Sequence, residues 1–151
     1  MCGRFVSASP PEEIAEYFAA MMMGDPLEPN FNVAPTLDVY VVYEDGSERN
    51  LDQFHWGLVP GFAKDVKIGN RMINARAETL ATNNSFKHSF ARRRCIVPAD
   101  GFYEWTGEKG HRRPRWFHAP DHAPPALASG RSGRADERQA CVHVTRLTGT
   151  C

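Results

Sequence analysis

The sequence VYVVYEDGSERNLDQFHWG, residues 39–57, predicts the centre of the fold. Residues 39–43 are all β-branched or aromatic, which favours an extended strand over a helix. The segment 44–47 then interrupts the run with Asp45 and Gly46, which are typical turn residues, and residues 51–57 form a second largely apolar run. This order of run, turn and run is typical of a β-hairpin.

Further short apolar runs lie towards the end of the chain. Residues 94–98 and 102–106 predict two strands around Ala99-Asp100-Gly101, and residues 115–118 predict the start of a third. Short strands outnumber helices, and no internal repeat is present. We therefore expect an α+β fold, a β-rich single domain of short antiparallel strands with a few helices.

The clearest helix is expected after Ser9. This residue is the expected N-cap, Pro10 occupies the first helical position and Glu12 completes a capping box. Gly24 and Pro26 would end the helix. The residues expected on its buried face are Ile14, Phe18 and Met21 or Met22. Shorter helices are expected over residues 75–80 and 85–92, the second with Ser85 as a candidate cap.

Large apolar residues are unevenly distributed. All 9 Phe, 3 Trp and 4 Tyr residues lie at or before Phe117, whereas residues 119–151 consist largely of Ala, Pro, Gly, Ser, Thr and Arg. A segment with so little apolar surface cannot offset the entropy that it loses on ordering. We therefore expect a packed domain over residues 1–118, followed over residues 119–151 by a low-complexity tail that is disordered or read out of frame.

Charge is also unevenly distributed, although the chain is formally neutral. Residues 1–60 carry 2 basic and 10 acidic residues, whereas residues 61–118 carry 12 basic and 5 acidic ones. Such asymmetry indicates an anionic partner such as nucleic acid, or a pairing of the two regions with each other.

Composition also limits location and cofactors. No apolar run is long enough to span a membrane, and the N-terminus lacks the long apolar stretch of a secretory signal. The 4 Cys and 6 His residues show no C-x-x-C or H-E-x-x-H spacing. We expect a cytoplasmic protein with no metal, no cofactor and no membrane partner.

Cys2 follows the initiator Met, and its small side chain would permit removal of Met1. A free N-terminal cysteine carries an amine with a pKa of about 7.7 beside a thiol with a pKa of about 8.5, so both are partly nucleophilic at neutral pH. An aldehyde can condense with the pair and close to a thiazolidine ring. By position alone, Cys2 could equally be an ordinary small residue.

Five blocks in order resemble the SOS response-associated peptidase (SRAP) family. They are MCGRF (1–5), FNVAPT (31–36), WGLVP (56–60), INARAET (73–79) and RRCIVPADGFYEW (93–105). The resemblance implies a β-rich α+β fold and an abasic site processing protein of the DNA damage response. Its N-terminal cysteine would attack the aldehyde of an abasic site in single-stranded DNA and form a covalent crosslink. A monomer without a cofactor, associated with the nucleoid when bound to DNA, is expected.

The resemblance also implies roles for residues of three blocks. Cys2 is similar to the crosslinking nucleophile, Asn74 to the residue that orients the sugar and the reacting amine, and Glu104 to the acid/base. Glu104 shares a strand face with Phe102, so partial desolvation by aromatic rings would suit it to proton exchange near neutral pH. The alternative is a solvent-facing glutamate on an edge strand.

Three residues are candidates for DNA contact. Arg4 and Arg76 match basic positions of the family blocks and have the geometry to clamp phosphates, although salt bridges to the acidic first third are the alternative. Phe62 follows WGLVP and is a candidate for stacking on a base, or a core residue.

The chain departs from the family after about residue 118. No motif similar to I-H-D-R-M-P is present, and His143 stands in the different context CVHVT. The resemblance is therefore to a C-terminally truncated or frameshifted family member, incomplete at the C-terminus. Alternative functions are a non-catalytic single-stranded-DNA binding module, a thiol peptidase, and an inactive remnant.

Overall fold

A computed structural model describes residues 3–118, 126–132 and 139–142. The strands in chain order are β1 (Phe5–Ser7), β2 (Met21–Met22), β3 (Asn30–Val33), β4 (Asp38–Asp45), β5 (Glu48–Trp56), β6 (Arg94–Pro98), β7 (Gly101–Thr106), β8 (Arg113–His118), β9 (Ala126–Ser132) and β10 (Gln139–Val142). The α-helices are α1 (Pro11–Tyr17) and α2 (Lys87–Arg92), and 3-10 turns cover Val66–Arg71 and Ala77–Thr79. The β-rich α+β class expected from the sequence is confirmed.

The hairpin predicted from residues 39–57 is the longest strand pair of the described fold. β4 and β5 run antiparallel from Asp38 opposite His55 to Asp45 opposite Glu48. Gly46 in the turn has φ +64°, a conformation that glycine adopts at little steric cost. The turn predicted between the two runs has two residues, Gly46 and Ser47, and such a tight turn fixes the register of the strands that it joins.

This hairpin is the centre of a six-stranded sheet with the order β10-β9-β6-β4-β5-β2. β10 also pairs in parallel with β5, so β5, β4, β6, β9 and β10 form a closed ring. Closure removes free strand edges along that ring. The domain boundary near residue 118 stays a prediction, and the described residues beyond it belong to β9 and β10.

A second sheet has the order β3-β1-β7-β8. The two strands predicted around residues 99–101 are both present as β6 and β7, but they belong to different sheets. The chain changes sheets at Asp100, whose backbone N–H donates to the carbonyl of Val6 (2.9 Å). β7 is thereby directed against β1, and the predicted strand over residues 115–118 follows as β8.

The capping box predicted at Ser9 is wrong. Helix α1 begins one residue later than expected, Pro10 is its N-cap, and no side chain caps it. The Ser9 hydroxyl donates instead to Oδ1 of Asp100, and its backbone N–H donates to Oδ2 (3.1 Å). A carboxylate competes successfully for this hydroxyl because hydrogen bonds to charged groups are stronger than neutral ones.

The predicted buried face of α1 is correct in its first two residues. Ile14 and Phe18 are both buried. The helix ends at Tyr17, because Ala19 adopts a positive φ of 48° that no longer continues it. Met21 and Met22 therefore lie in β2, beside β5, rather than on the helix.

The two shorter helices differ in detail from their predicted bounds. The first is the 3-10 turn Ala77–Thr79, and the second is α2. Ser85 does not cap α2; its backbone N–H is instead bound by Oδ1 of Asn83 (2.9 Å). The N-cap position belongs to Phe86, and no side chain caps the helix.

Two glycines allow the segment after β5 to pack closely. A Cβ at Gly57 would lie 2.6 Å from the carbonyl oxygen of Gly69, and Gly57 itself has φ +157°. The two backbones therefore meet without side chains between them. This contact holds the 3-10 turn Val66–Arg71 against the end of β5.

We expect Gly57→Ala to lower the free energy of unfolding by about 1–3 kcal/mol, the usual cost of forcing extra volume into a packed contact. Urea denaturation followed by tryptophan fluorescence measures this. The control is Gly61→Ala, where a Cβ meets nothing within 4 Å. Equal stability of the two variants would contradict the close approach.

Candidate active site

Trp56 connects the elements that carry the candidate residues. Its side chain is fully buried, and its ring centroid lies 5.3 Å from that of Phe5 in β1. Its indole N–H donates to the carbonyl of Ile73 (2.9 Å), and Ile73 packs against the same core cluster. The segment that contains Asn74 is thereby held beside β1.

Asn74 follows directly after this anchored carbonyl. The residue is half-buried, and its Oδ1 atom is shielded from solvent. The preceding turn is fixed as well, because the N–H of Leu58 donates to the carbonyl of Met72 (3.0 Å). The hydrogen bonds to the carbonyls of Ile73 and Met72 limit the conformational freedom of the Asn74 backbone.

Glu104 lies on β7, on the same face as the core residues of β1. Phe5 is opposite Phe102 in the antiparallel register, and the N–H of Tyr103 donates to the carbonyl of Arg4 (2.9 Å). The paired chains run together to Arg4 and Tyr103, the residues next to Gly3 and Glu104. The chain therefore approaches Glu104 at its N-terminal end.

The alternative of a solvent-facing glutamate on an edge strand does not hold for Glu104. β7 lies between β1 and β8, and the side chain is half-buried. Phe102 on the same face stacks on Phe117 at a centroid distance of 5.3 Å, and Arg115 is opposite Glu104 on β8. Aromatic rings and a cation thus lie on the Glu104 face of the sheet.

The DNA-contact candidates differ in exposure. Arg4 is half-buried and donates through Nη1 to the carbonyl of Gly3 (2.7 Å). Arg76 is exposed at the start of the turn Ala77–Thr79. Phe62 is 66 % exposed in a turn closed by the N–H of Ala63 and the carbonyl of Pro60 (2.9 Å), which excludes the core alternative.

Cys2 and His143 lie outside the described residues. Among the described residues, Gly3, Arg4, Asn74 and Glu104 lie on connected elements, whereas Phe62 and Arg76 are exposed.

Sequence reasoning missed Phe31, which is 68 % exposed and whose carbonyl accepts the Tyr103 hydroxyl (3.4 Å). Phe31 was noted in the sequence only as part of the block FNVAPT (31–36).

Asp100 is a second residue that sequence reasoning missed. Its carboxylate accepts the N–H groups of Ala8 (2.6 Å) and Ser9 (3.1 Å) as well as the Ser9 hydroxyl. Its neighbours in the sequence, Ala99 and Gly101, had indicated only a turn. A sequence separation of 91 or more residues hides such a contact from any local pattern.

Neither a metal centre nor a membrane span is found in the part of the chain that the structure describes. No cluster of three or more His, Cys, Asp or Glu side chains could hold an ion there. Among the same residues, no helix is long and apolar enough to cross a membrane. Burial raises the pKa of Tyr40, whose hydroxyl accepts the N–H of Leu27 (2.6 Å).

A family model described as SOS response associated peptidase (SRAP) matches residues 1–150. The chain belongs to the SRAP family. It is 46 % identical over 107 residues to the abasic site processing protein YoqW of Bacillus subtilis, which covers 70 % of this chain and 48 % of that protein. It is 33 % identical over 153 residues to the abasic site processing protein YedK of Escherichia coli, covering 96 % of this chain and 67 % of that protein.

Structural comparison finds a solved protein of the same fold. A protein from Bacteroides thetaiotaomicron matches with a TM-score of 0.80 and 20 % identity, over 94 % of this chain and 67 % of that one. This chain spans about half the length of YoqW and of several other curated relatives. The fold is therefore shared, while the activity of a whole SRAP protein is a matter for proposal.

We expect Trp56→Phe to lower the free energy of unfolding by about 1–3 kcal/mol, because the Ile73 carbonyl would lose its buried donor. It should also raise the hydrogen exchange rate of the Leu58 amide, which is bound to the adjacent Met72 carbonyl. Trp105→Phe is the control, since Trp105 is 42 % exposed. Unchanged Leu58 exchange would show that Trp56 does not hold this segment.

Proposed function

We propose that this protein senses abasic sites in single-stranded DNA and captures them covalently through Cys2 after Met1 is removed. The observation that carries the proposal is the pairing of β1 with β7, in which the N–H of Tyr103, next to Glu104, donates to the carbonyl of Arg4. Cys2 is two residues before Arg4 in the sequence. The chain that leads to the proposed nucleophile is therefore paired with the strand of a half-buried carboxylate, in a family whose curated members include abasic site processing proteins.

Thiazolidine formation joins Cys2 to a single carbon of the abasic sugar through two new bonds. The Cys2 amine adds to the aldehyde carbon of the ring-opened abasic sugar, and loss of one water gives a Schiff base. The thiol sulfur then adds to the same carbon, and its proton passes to the nitrogen as the thiazolidine closes. The net reaction joins protein and DNA with release of one water.

Two side chains support these steps in the proposal. Glu104 moves the protons: it accepts one from the attacking amine and returns one to the departing hydroxyl. Asn74, held by the Trp56 contact to Ile73, orients the sugar and the amine through its amide. Rigid placement matters because a reaction is accelerated when its reacting groups are held close together in the correct orientation.

The DNA strand is held by charge and stacking in the same proposal. Arg4 and Arg76 bind phosphates through their guanidinium groups, which suit two-point contact with phosphate oxygens. Phe62 offers an exposed ring on which a base can stack, a contact that tolerates any base. Binding should therefore depend on salt and little on sequence.

We expect the wild-type chain to shift an abasic oligonucleotide on a denaturing gel, and Cys2→Ala to abolish the shift. Glu104→Gln should slow it by roughly 10²- to 10⁴-fold, the usual contribution of general acid–base catalysis. Intact-mass analysis of the same sample must show loss of Met1, because a blocked amine cannot form a thiazolidine. A crosslink that survives in Cys2→Ala would contradict the proposed nucleophile.

A second expected outcome concerns binding. Arg76→Glu should weaken binding of every single-stranded sequence alike and reduce the salt dependence, because one phosphate contact is lost. Fluorescence anisotropy with three unrelated oligonucleotides at several salt concentrations measures both. Lys87→Glu, an equal charge reversal at an exposed residue of α2, is the control. An equal loss in both variants would assign the effect to net charge alone.

A non-catalytic module that binds single-stranded DNA is the second candidate. The exposed ring of Phe62 and the excess of basic over acidic residues in the segment 61–118 favour it. In that case wild type and Cys2→Ala would bind an uncleavable tetrahydrofuran analogue equally, and neither would crosslink a true abasic site. The gel assay therefore separates the two functions.

A further inference from the structure

The carboxylate of Asp100 binds the chain directly after β1. It accepts the N–H of Ala8 (2.6 Å), the N–H of Ser9 (3.1 Å) and the hydroxyl of Ser9. The Asp100 backbone N–H in turn donates to the carbonyl of Val6 in β1 (2.9 Å). We call this set of four hydrogen bonds the Asp100 clamp.

We propose that Asp100 is a positioning residue for the proposed reaction: the clamp fixes the far end of β1, the strand that leads to Cys2. The proposal rests on the proposed crosslinking function. Asp100 itself lies at the start of β7, four residues before Glu104. One residue thus joins the strand of the acid/base to the strand that leads to the nucleophile.

β1 is only three residues long, and it pairs with β3 on one side and with β7 on the other. Phe5, fully buried against Trp56, is opposite Val33 in β3 and Phe102 in β7. A strand this short can still fray towards the chain terminus. The clamp lies about 10 Å from Phe5, at a rise of about 3.4 Å per residue. It adds a side-chain attachment to the backbone pairings and so limits the directions that the strand can take.

The choice of partner at Ser9 supports a positional role. Ser9 immediately precedes Pro10, the N-cap of α1, yet its hydroxyl is bound to Asp100 and no side chain caps the helix. The short helix α1 is therefore left without a common source of stability, and the hydroxyl is used to join β1 to the corner before β7. A purely local demand for helix stability would have used Ser9 as a cap.

Chemistry at Cys2 is sensitive to this geometry. The amine and the thiol of one residue must reach the same aldehyde carbon in succession while Glu104 exchanges protons. A displacement of about 1 Å can lower the rate of such a step by as much as about 10²-fold. DNA binding through arginines and a stacked base depends much less on the direction of β1.

The test compares Asp100→Ala and Asp100→Asn with wild type, well below their melting temperatures. Three quantities are measured: the dissociation constant for a tetrahydrofuran oligonucleotide, the crosslinking rate at saturating protein with a true abasic oligonucleotide, and hydrogen exchange of the Tyr103 amide. That amide is bound to the Arg4 carbonyl, so it reports whether the N-terminal end of β1 stays paired. Asn83→Ala is the control, because it removes another side-chain acceptor of a backbone N–H.

For Asp100→Ala we expect a crosslinking rate at least 10-fold lower, Tyr103 exchange at least 10-fold faster, and a dissociation constant within about 2-fold of wild type. Asp100→Asn keeps one accepting oxygen and should be intermediate, whereas Asn83→Ala should match wild type. A lower melting temperature with unchanged rate and unchanged Tyr103 exchange would overturn the proposal, since Asp100 would then only stabilise the fold. If wild type does not crosslink at all, the proposed function fails, and Tyr103 exchange still decides whether the clamp holds β1.

Discussion

The contact of Trp56 with Phe5 and Ile73 is the constraint on which the site depends. The ring fills the core between the two sheets, and the indole N–H holds the carbonyl that precedes Asn74. The Trp56 backbone also donates to the carbonyl of Leu37 (2.9 Å). The Trp56 side chain thereby relates β1, β5 and the Asn74 segment, which are not adjacent in the sequence.

Local patterns predicted the parts of the fold that local forces decide. The β4–β5 hairpin follows from two strand-forming runs on either side of the turn at Gly46, and its partners are adjacent in sequence. The predicted cap at Ser9 failed for the opposite reason. Its competitor, Asp100, is 91 residues away, and only the sheet arrangement brings that carboxylate to the hydroxyl.

The same distinction applies to the candidate site. Strand alternation within residues 102–105 was enough to predict that Glu104 shares a face with Phe102. It could not tell a central strand from an edge, because the position of β7 between β1 and β8 depends on pairings across the chain. For Asn74, the motif resemblance suggested a role, while its support by Trp56 depends on a hydrogen bond across 17 residues.

Energetics indicate why the chain gives up the cap at Ser9. An N-cap hydroxyl contributes about 1 kcal/mol to a helix, and α1 is only seven residues long. A hydrogen bond to a charged carboxylate contributes about 1.5–3 kcal/mol, and the Ser9 hydroxyl donates one to Asp100. The balance favours the bond that joins the end of β1 to the corner before β7 over the bond that stabilises one helix. The segment after β1 is thereby held by a contact across 91 residues, while the seven-residue helix that follows begins without a side-chain cap.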